Sequence, residues 1–388
     1  MSTPQAEALV REISVKIEQI RGLKFKRPVE MKIISGAESR ARSSADMPED
    51  AAELARHTQD AFVHLGLIPP GTNLLSDELE VAEKGVYGFY EFGSHVFYLL
   101  DHVPPQEVRG VMAHELTHAL DDQHYDLLAV ARKTASNPDH RIAIRAVMEG
   151  SALAVELAFL SREQGEQRAA EDLQESESQR AERLRIAPSF TQRSRMFPYL
   201  LGFTFLLRGK PWEFYQGGGV QLGDFDTAYA NPPFSTRQIL HPTQYWNGNG
   251  RYKAQPLTLS NLSAALGPGW SKATEGAIGE LGLAVLTGAR EGIDVKWAMR
   301  PSFWTTEAAD GVVADAFQHS VNGGRTVTVL VTRWESERDA DQFERALLDK
   351  RRYYLFRYGV NVLLIAGDIG DRGQAVAAGA LQGMKYTE

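Results

Sequence analysis

The chain has 388 residues, 43% hydrophobic and 24% charged, and a net charge of −8. Such a composition supplies apolar side chains for packed cores, and with neither a basic run nor a basic stripe it argues against a nucleic-acid partner. There is no cysteine, which excludes disulfides, cysteine-ligated zinc and thiol catalysis.

The N-terminal stretch is charged and amphipathic with no apolar h-region. No apolar run reaches the ~18–20 residues that a membrane span needs. The expectation is a chain without a membrane span, cytoplasmic by default. In chain order, residues 4–20 carry apolar side chains at helical spacing, and Arg21-Gly22 ends that helix with a C-cap glycine. Residues 27–35 alternate as a strand does. Residues 46–67 form a second helix with acidic residues near its start, and Pro69-Pro70-Gly71 breaks the chain. Residues 86–100, VYGFYEFGSHVFYLL, are aromatic and β-branched around Phe92-Gly93-Ser94, so they read as a hairpin. This is either a half-buried hairpin on the core or an edge able to accept an extended peptide, and both can hold.

The central helix starts at residues 101–105 and runs through His114-Glu115-Leu116-Thr117-His118. On an α-helix, residues four apart share a face, so His114 and His118 can bind one metal ion while Glu115 stands beside them as a base. Two imidazoles and a carboxylate on an apolar helix need partners if they do not serve a metal. A third ligand has two candidates. His124 sits at the spacing of HExxHxxGxxH, but Asp121 takes the place of the glycine that would turn the chain back. If the helix continues, His124 lies about 240° around from His118 and faces away. Glu149 lies in the apolar helix opened by Asn137-Pro138-Asp139, beside the small residues Gly150 and Ser151. A glutamate there is expensive to bury unless paired or ligating, which makes it the better candidate.

Residues 163–187 are dense in mixed charge and read as a solvated helical excursion or mobile connector. Residues 197–207 return to apolar helix, and YQGGGVQLGDF is a loop. After Gly250 the texture changes. Residues 271–290 look helical, 325–334 form a buried strand, and Ser336 with Asp339 opens a helix as a capping box. VNVLLIAG gives another strand, and residues 373–381 a last short helix. The fold class expected is α+β, with a mostly helical domain over residues 1–250, for which the resemblance given next implies a zincin-like metallopeptidase core, and a smaller α+β domain of unreadable role over 251–388.

HELTHALDDQHYDL followed by AVMEGSA resembles the HExxH-plus-glutamate zinc metallopeptidases, the gluzincins. More narrowly, it is similar to a poorly characterised prokaryotic family with HELTHALQDQ-like, EGDA-like and PPxSTEQILHP-like motifs. GFYEFGSHVFYL, FPYLLGFTFL and AYANPPFSTRQILHPTQY extend the likeness over residues 20–250; it is loose beyond. The chain departs from the pattern at Asp121, Ser151 and Arg237. The resemblance implies a Zn2+-dependent peptidase acting on a peptide or protein substrate, with His114, His118 and Glu149 as ligands. Glu115 is then the general base toward a zinc-activated water, and His241 or Tyr245 the donor to the oxyanion. The rival is a non-catalytic zincin, a zinc-stabilised scaffold or regulatory binding module.

Overall fold

The computed structural model describes residues 3–45, 51–133, 137–185, 187–210, 223–247, 256–260, 262–348 and 353–386. Helix α1 (Thr3–Arg21) buries Val10, Ile13, Ile17 and Ile20, the stripe that a 3.6-residue period makes. Strand β1 (Glu30–Ile34) and helices α2 (Gly36–Ala45), α3 (Ala51–Leu65) and α4 (Leu74–Glu80) follow. The expected hairpin is present as β2 (Gly88–Glu91) and β3 (Val96–Leu100). These strands form one sheet in the order β1-β3-β2, with β1 parallel and β2 antiparallel to β3, so β2 is an edge.

Helix α5 (Val108–Tyr125) starts later than residues 101–105, because Pro104 sits in a turn closed by the Glu107 amide. Its apolar side packs with α1, β2 and β3 around Ile13, Phe97, Met112, Leu116 and Phe159. Helix α6 (Leu127–Lys133) leads to α7 (Pro138–Gln164), which Asn137 caps by accepting the His140 amide at 3.2 Å. Helices α8 (Glu166–Leu184) and α9 (Ser189–Leu206) complete the helical layer. Where α7 crosses α9, only glycine fits: a Cβ on Gly202 would lie 1.9 Å from the Ala146 carbonyl oxygen, and one on Gly150 2.3 Å from the Gly202 carbonyl carbon. The solvated helical excursion expected over residues 163–187 is present, and the alternative of a mere connector is not. Residues 163–164 end α7 and 166–184 form α8, which buries Ala169, Leu173 and Glu177 against its neighbours.

Three short helices, α10 (Gly223–Ala230), α11 (Thr236–Leu240) and α12 (Pro242–Trp246), lie between the helical layer and the C-terminal part. Residues 215–222 of the expected glycine-rich loop lie outside the described residues, and 223–225 belong to α10. The C-terminal part contains β4 (Leu257–Leu259), α13 (Leu262–Leu266), β5 (Ser271–Gly276), α14 (Gly279–Leu286), β6 (Val312–Asn322), β7 (Arg325–Trp334) and α15 (Glu337–Leu347). It ends with β8 (Tyr354–Tyr358), β9 (Asn361–Gly367), α16 (Gly373–Gln382) and β10 (Met384–Tyr386). Residues 271–290 are therefore a strand and a helix, not one helix. Five strands make an antiparallel sheet in the order β5-β6-β7-β9-β8. Both faces are covered, which is why β7 and β9 read as near-continuous apolar runs. Val327, Val329 and Val331 face α13 and α16, whereas Leu330, Phe317 and Leu364 face α3, α14 and α15. The fold is α+β. Packing crosses the 250 boundary, since Phe62, Leu65 and Phe190 share a core with Phe317, Leu330 and Trp334.

At the entry to α14, the Asp315 carboxylate accepts the Ile278 and Gly279 amides at 2.7 and 3.1 Å. Gly279 has φ +64, and a Cβ there would meet Asp139. Burial, then the neighbouring Asp139 carboxylate, pushes Asp315 up to about 7 against those amide bonds. Its folded value exceeds its unfolded value, so the stabilisation is complete below the unfolded value of ~4 and is lost as pH rises through about 7. Asp315→Asn should therefore gain on the wild type between about pH 5 and pH 8, by roughly 2–4 kcal/mol, measured by urea unfolding. Parallel stability curves for the two proteins would show that Asp315 ionises normally.

Candidate metal centre

Helix α5 presents His114 and His118 on one buried face, with ring centroids 4.9 Å apart. Glu149 reaches them from α7. Its Oε2 lies 3.3 Å from His114 Nε2 and 3.5 Å from His118 Nε2. Bonds of ~2.0–2.1 Å in a tetrahedron hold neighbouring donor atoms roughly 3.3 Å apart, so these separations suit one zinc-sized ion. Two imidazoles and one carboxylate also form a donor set that zinc accepts.

The surroundings fix the ligands. His114 Nδ1 is 2.9 Å from Glu156 Oε2, which orients the ring with its Nε2 toward Glu149. Arg145 donates to the second oxygen of Glu149 at 3.4 Å. His118 Nδ1 is buried with no hydrogen-bond partner among the described residues. Burial pulls the His114 imidazole down, but Glu149 and Glu156 outweigh it and raise it to about 10. Burial raises Glu149, and His114 and His118 overcome it, leaving the carboxyl well below the usual range. A divalent ion held there would need the imidazole deprotonated, so its binding would release a proton. Glu115 is also buried, which pushes its carboxyl up against the pull of His118 and His114. Its Oε2 accepts the Tyr90 amide of edge strand β2 at 2.8 Å.

Tyr199, from α9, stacks on His114 with centroids 6.0 Å apart and planes at 26°. The Arg180 guanidinium of α8 lies 3.9 Å from the centre of the Tyr199 ring. Tyr199, Arg145, Arg180 and Arg195 line a cleft of about 840 Å3, with Asp77 and Glu78 among its other lining residues. Sequence reasoning missed this wall. Glu156 and Arg145 were accessible signals, lying seven residues after and four before Glu149 on one helix face. Tyr199 is the one phenol in the apolar run MFPYLLGF, and Arg180 was hidden among the charges of α8.

His124 stands apart. Helix α5 continues unbroken to Tyr125, and His124 Nε2 donates to the Lys24 carbonyl at 2.8 Å on the surface. His241 and Tyr245 are not brought to the centre either. His241 Nε2 lies 3.0 and 3.1 Å from the two Glu280 oxygens, and the Tyr245 hydroxyl donates to the Asn231 carbonyl. Their segment is tied to the other end of α7, where Thr236 Oγ1 donates to Asp139 at 2.6 Å. Asp139 precedes Glu149 by ten residues, about 15 Å along the helix. The physical cause is Arg237, which is 2% exposed and draws Glu280, Asp310 and Glu335 around itself at 3.0, 3.2 and 2.8 Å. That guanidinium already supplies the positive charge these carboxylates need. Comparison with protein-family models, with curated proteins and with solved structures gives no match.

Proposed function

We propose that this chain is a zinc-dependent metallopeptidase of the HExxH-plus-glutamate type with a zincin-like core. The separations of 3.3 and 3.5 Å between Glu149 and the two imidazoles carry this reading. His114, His118 and Glu149 would hold the ion. Zinc in such a set acts as a Lewis acid that polarises a carbonyl and lowers the pKa of water. Glu115, held by the Tyr90 amide, takes the proton from the attacking water and delivers it to the leaving amine. Tyr199, stacked on His114, replaces His241 and Tyr245 as the group assigned to the developing oxyanion. The edge strand β2 offers main-chain groups to an extended peptide beside Glu115. No described helix is long and apolar enough to cross a membrane, in keeping with a substrate met in water.

The test is zinc content and cleavage of a broad peptide library by the full chain. His118→Ala should lose zinc from this centre and all cleavage, while His124→Ala, His241→Ala and Tyr245→Phe keep the zinc. A zinc-loaded protein that cleaves nothing in the library, and whose zinc adds only stability, is the scaffold of the rival reading.

A further inference from the structure

A second group of imidazoles lies where α3 packs on the five-stranded sheet. His57, Asp60 and His64 fall on one side of α3, and His319 projects from β6 on the sheet face that also carries Phe317. His57, Asp60 and His319 each offer one ligand atom, and the three atoms lie within 4.8 Å of one another. His319 is fully buried, yet among the described residues its Nε2 has no hydrogen-bond partner, and neither has His57 Nδ1. An orphaned ring nitrogen in a packed interior is unfavourable, and here two occur in facing residues.

The other nitrogen of each ring is occupied. His319 Nδ1 lies 2.8 Å from Thr328 Oγ1, itself 3.0 Å from His64 Nδ1. Thr326 Oγ1 lies 3.3 Å from His64 Nε2, so the protons can run in one direction from His319 through Thr328 and His64 to Thr326. His319 is then an Nδ1–H tautomer with its Nε2 lone pair bare. His57 Nε2 lies 3.5 Å from the Glu53 carboxylate and 3.4 Å from the Arg56 guanidinium; donation to Glu53 leaves Nδ1 bare, whereas acceptance from Arg56 puts the proton on Nδ1, where a metal ion would displace it. A ring held by an acceptor on one nitrogen and bare on the other is the form in which histidine binds metals. Arg56, whose side chain is 60% exposed, also lies 4.0 Å from the Asp60 carboxylate.

We propose that His57, Asp60 and His319 form a second divalent-metal site, which fastens α3 to the five-stranded sheet. Two imidazoles and one carboxylate suit zinc or a similar first-row ion. Donors around such an ion lie roughly 3.3 Å apart, so side-chain rotations of about 1 Å close the site. The side chain of Asp60 is 36% exposed, which leaves a route from solvent.

The test counts metal in the full-length protein, stripped with a chelator, re-equilibrated with Zn2+ and passed through gel filtration. In a His118→Ala background, one equivalent of zinc should remain, and adding either Asp60→Asn or His57→Ala should remove it. Zinc should raise the Tm of His118→Ala but not of the double variants, and Co2+ should give a visible band only in the former. Circular dichroism establishes that each variant is folded; the half-exposed Asp60→Asn is the mildest of them. A His118→Ala protein that takes up no zinc overturns the proposal, as does an equivalent that survives both His57→Ala and Asp60→Asn. If His118→Ala leaves the zinc count unchanged while His57→Ala lowers it, the centre on α5 fails and the second site stands.

Discussion

Glu115→Gln should lower the rate of peptide cleavage by about 10²–10⁴-fold while zinc content stays at the wild-type value. The carboxamide keeps an oxygen that can accept the Tyr90 amide, so the side chain holds its place. It cannot take a proton from water. His114, His118 and Glu149 are untouched, and the Tm should move by no more than about 2 °C. Glu115→Ala tests the same residue differently. It leaves the buried Tyr90 amide without its acceptor and should cost about 1–3 kcal/mol of stability in addition. Elemental analysis, single-substrate kinetics and thermal unfolding separate the two variants. A Gln variant that cleaves at the wild-type rate removes Glu115 from the mechanism.

Asp121→Ala should have the largest effect on stability, a loss of about 3–5 kcal/mol. Asp121 and Arg21 are both fully buried at their side chains, and Asp121 Oδ1 accepts the Arg21 guanidinium at 2.9 Å. Its other oxygen accepts the Ser151 hydroxyl at 2.7 Å and the Tyr229 hydroxyl at 2.9 Å. One carboxylate therefore ties α1, α5, α7 and α10 together. Its removal leaves Arg21 with only Asp226, whose side chain is 47% exposed, and leaves two buried hydroxyls without an acceptor. Because the pair is desolvated, the loss should change little with salt, unlike that of a surface pair. Urea unfolding at low and high ionic strength measures both quantities. A loss below about 1 kcal/mol would show that water reaches Arg21 in the variant.

The same network explains part of what the sequence disclosed. Asp121 and Ser151, which lie 30 positions apart in the chain, are joined directly by the hydroxyl–carboxylate bond between α7 and α5. His114, His118 and Glu149 were legible because helical spacing and the expense of burying a glutamate are local arguments. Strands β7 and β9 were legible for a similar reason, as apolar runs covered on both faces. What escaped depended on partners remote in the chain. His241 and Tyr245 looked functional within their own segment, but Arg237 and Glu280 decide where that segment lies. Strand β5 hid among glycines that elsewhere end helices. The placement of α3 under the C-terminal sheet leaves no local trace, since its apolar face fits any sheet of the right curvature.

That placement has a consequence for synthesis. His64 and Thr328 are in contact across 264 positions of the chain. At about 5–20 residues per second, α3 emerges from the ribosome roughly 10–50 s before the strands it covers. For that interval Phe62 and Leu65 have no sheet to pack on, and the nascent chain presents an apolar helix face to whatever binds such faces. The last folding event on this side is the arrival of β6, β7 and β9 beneath a helix that has already been waiting for them.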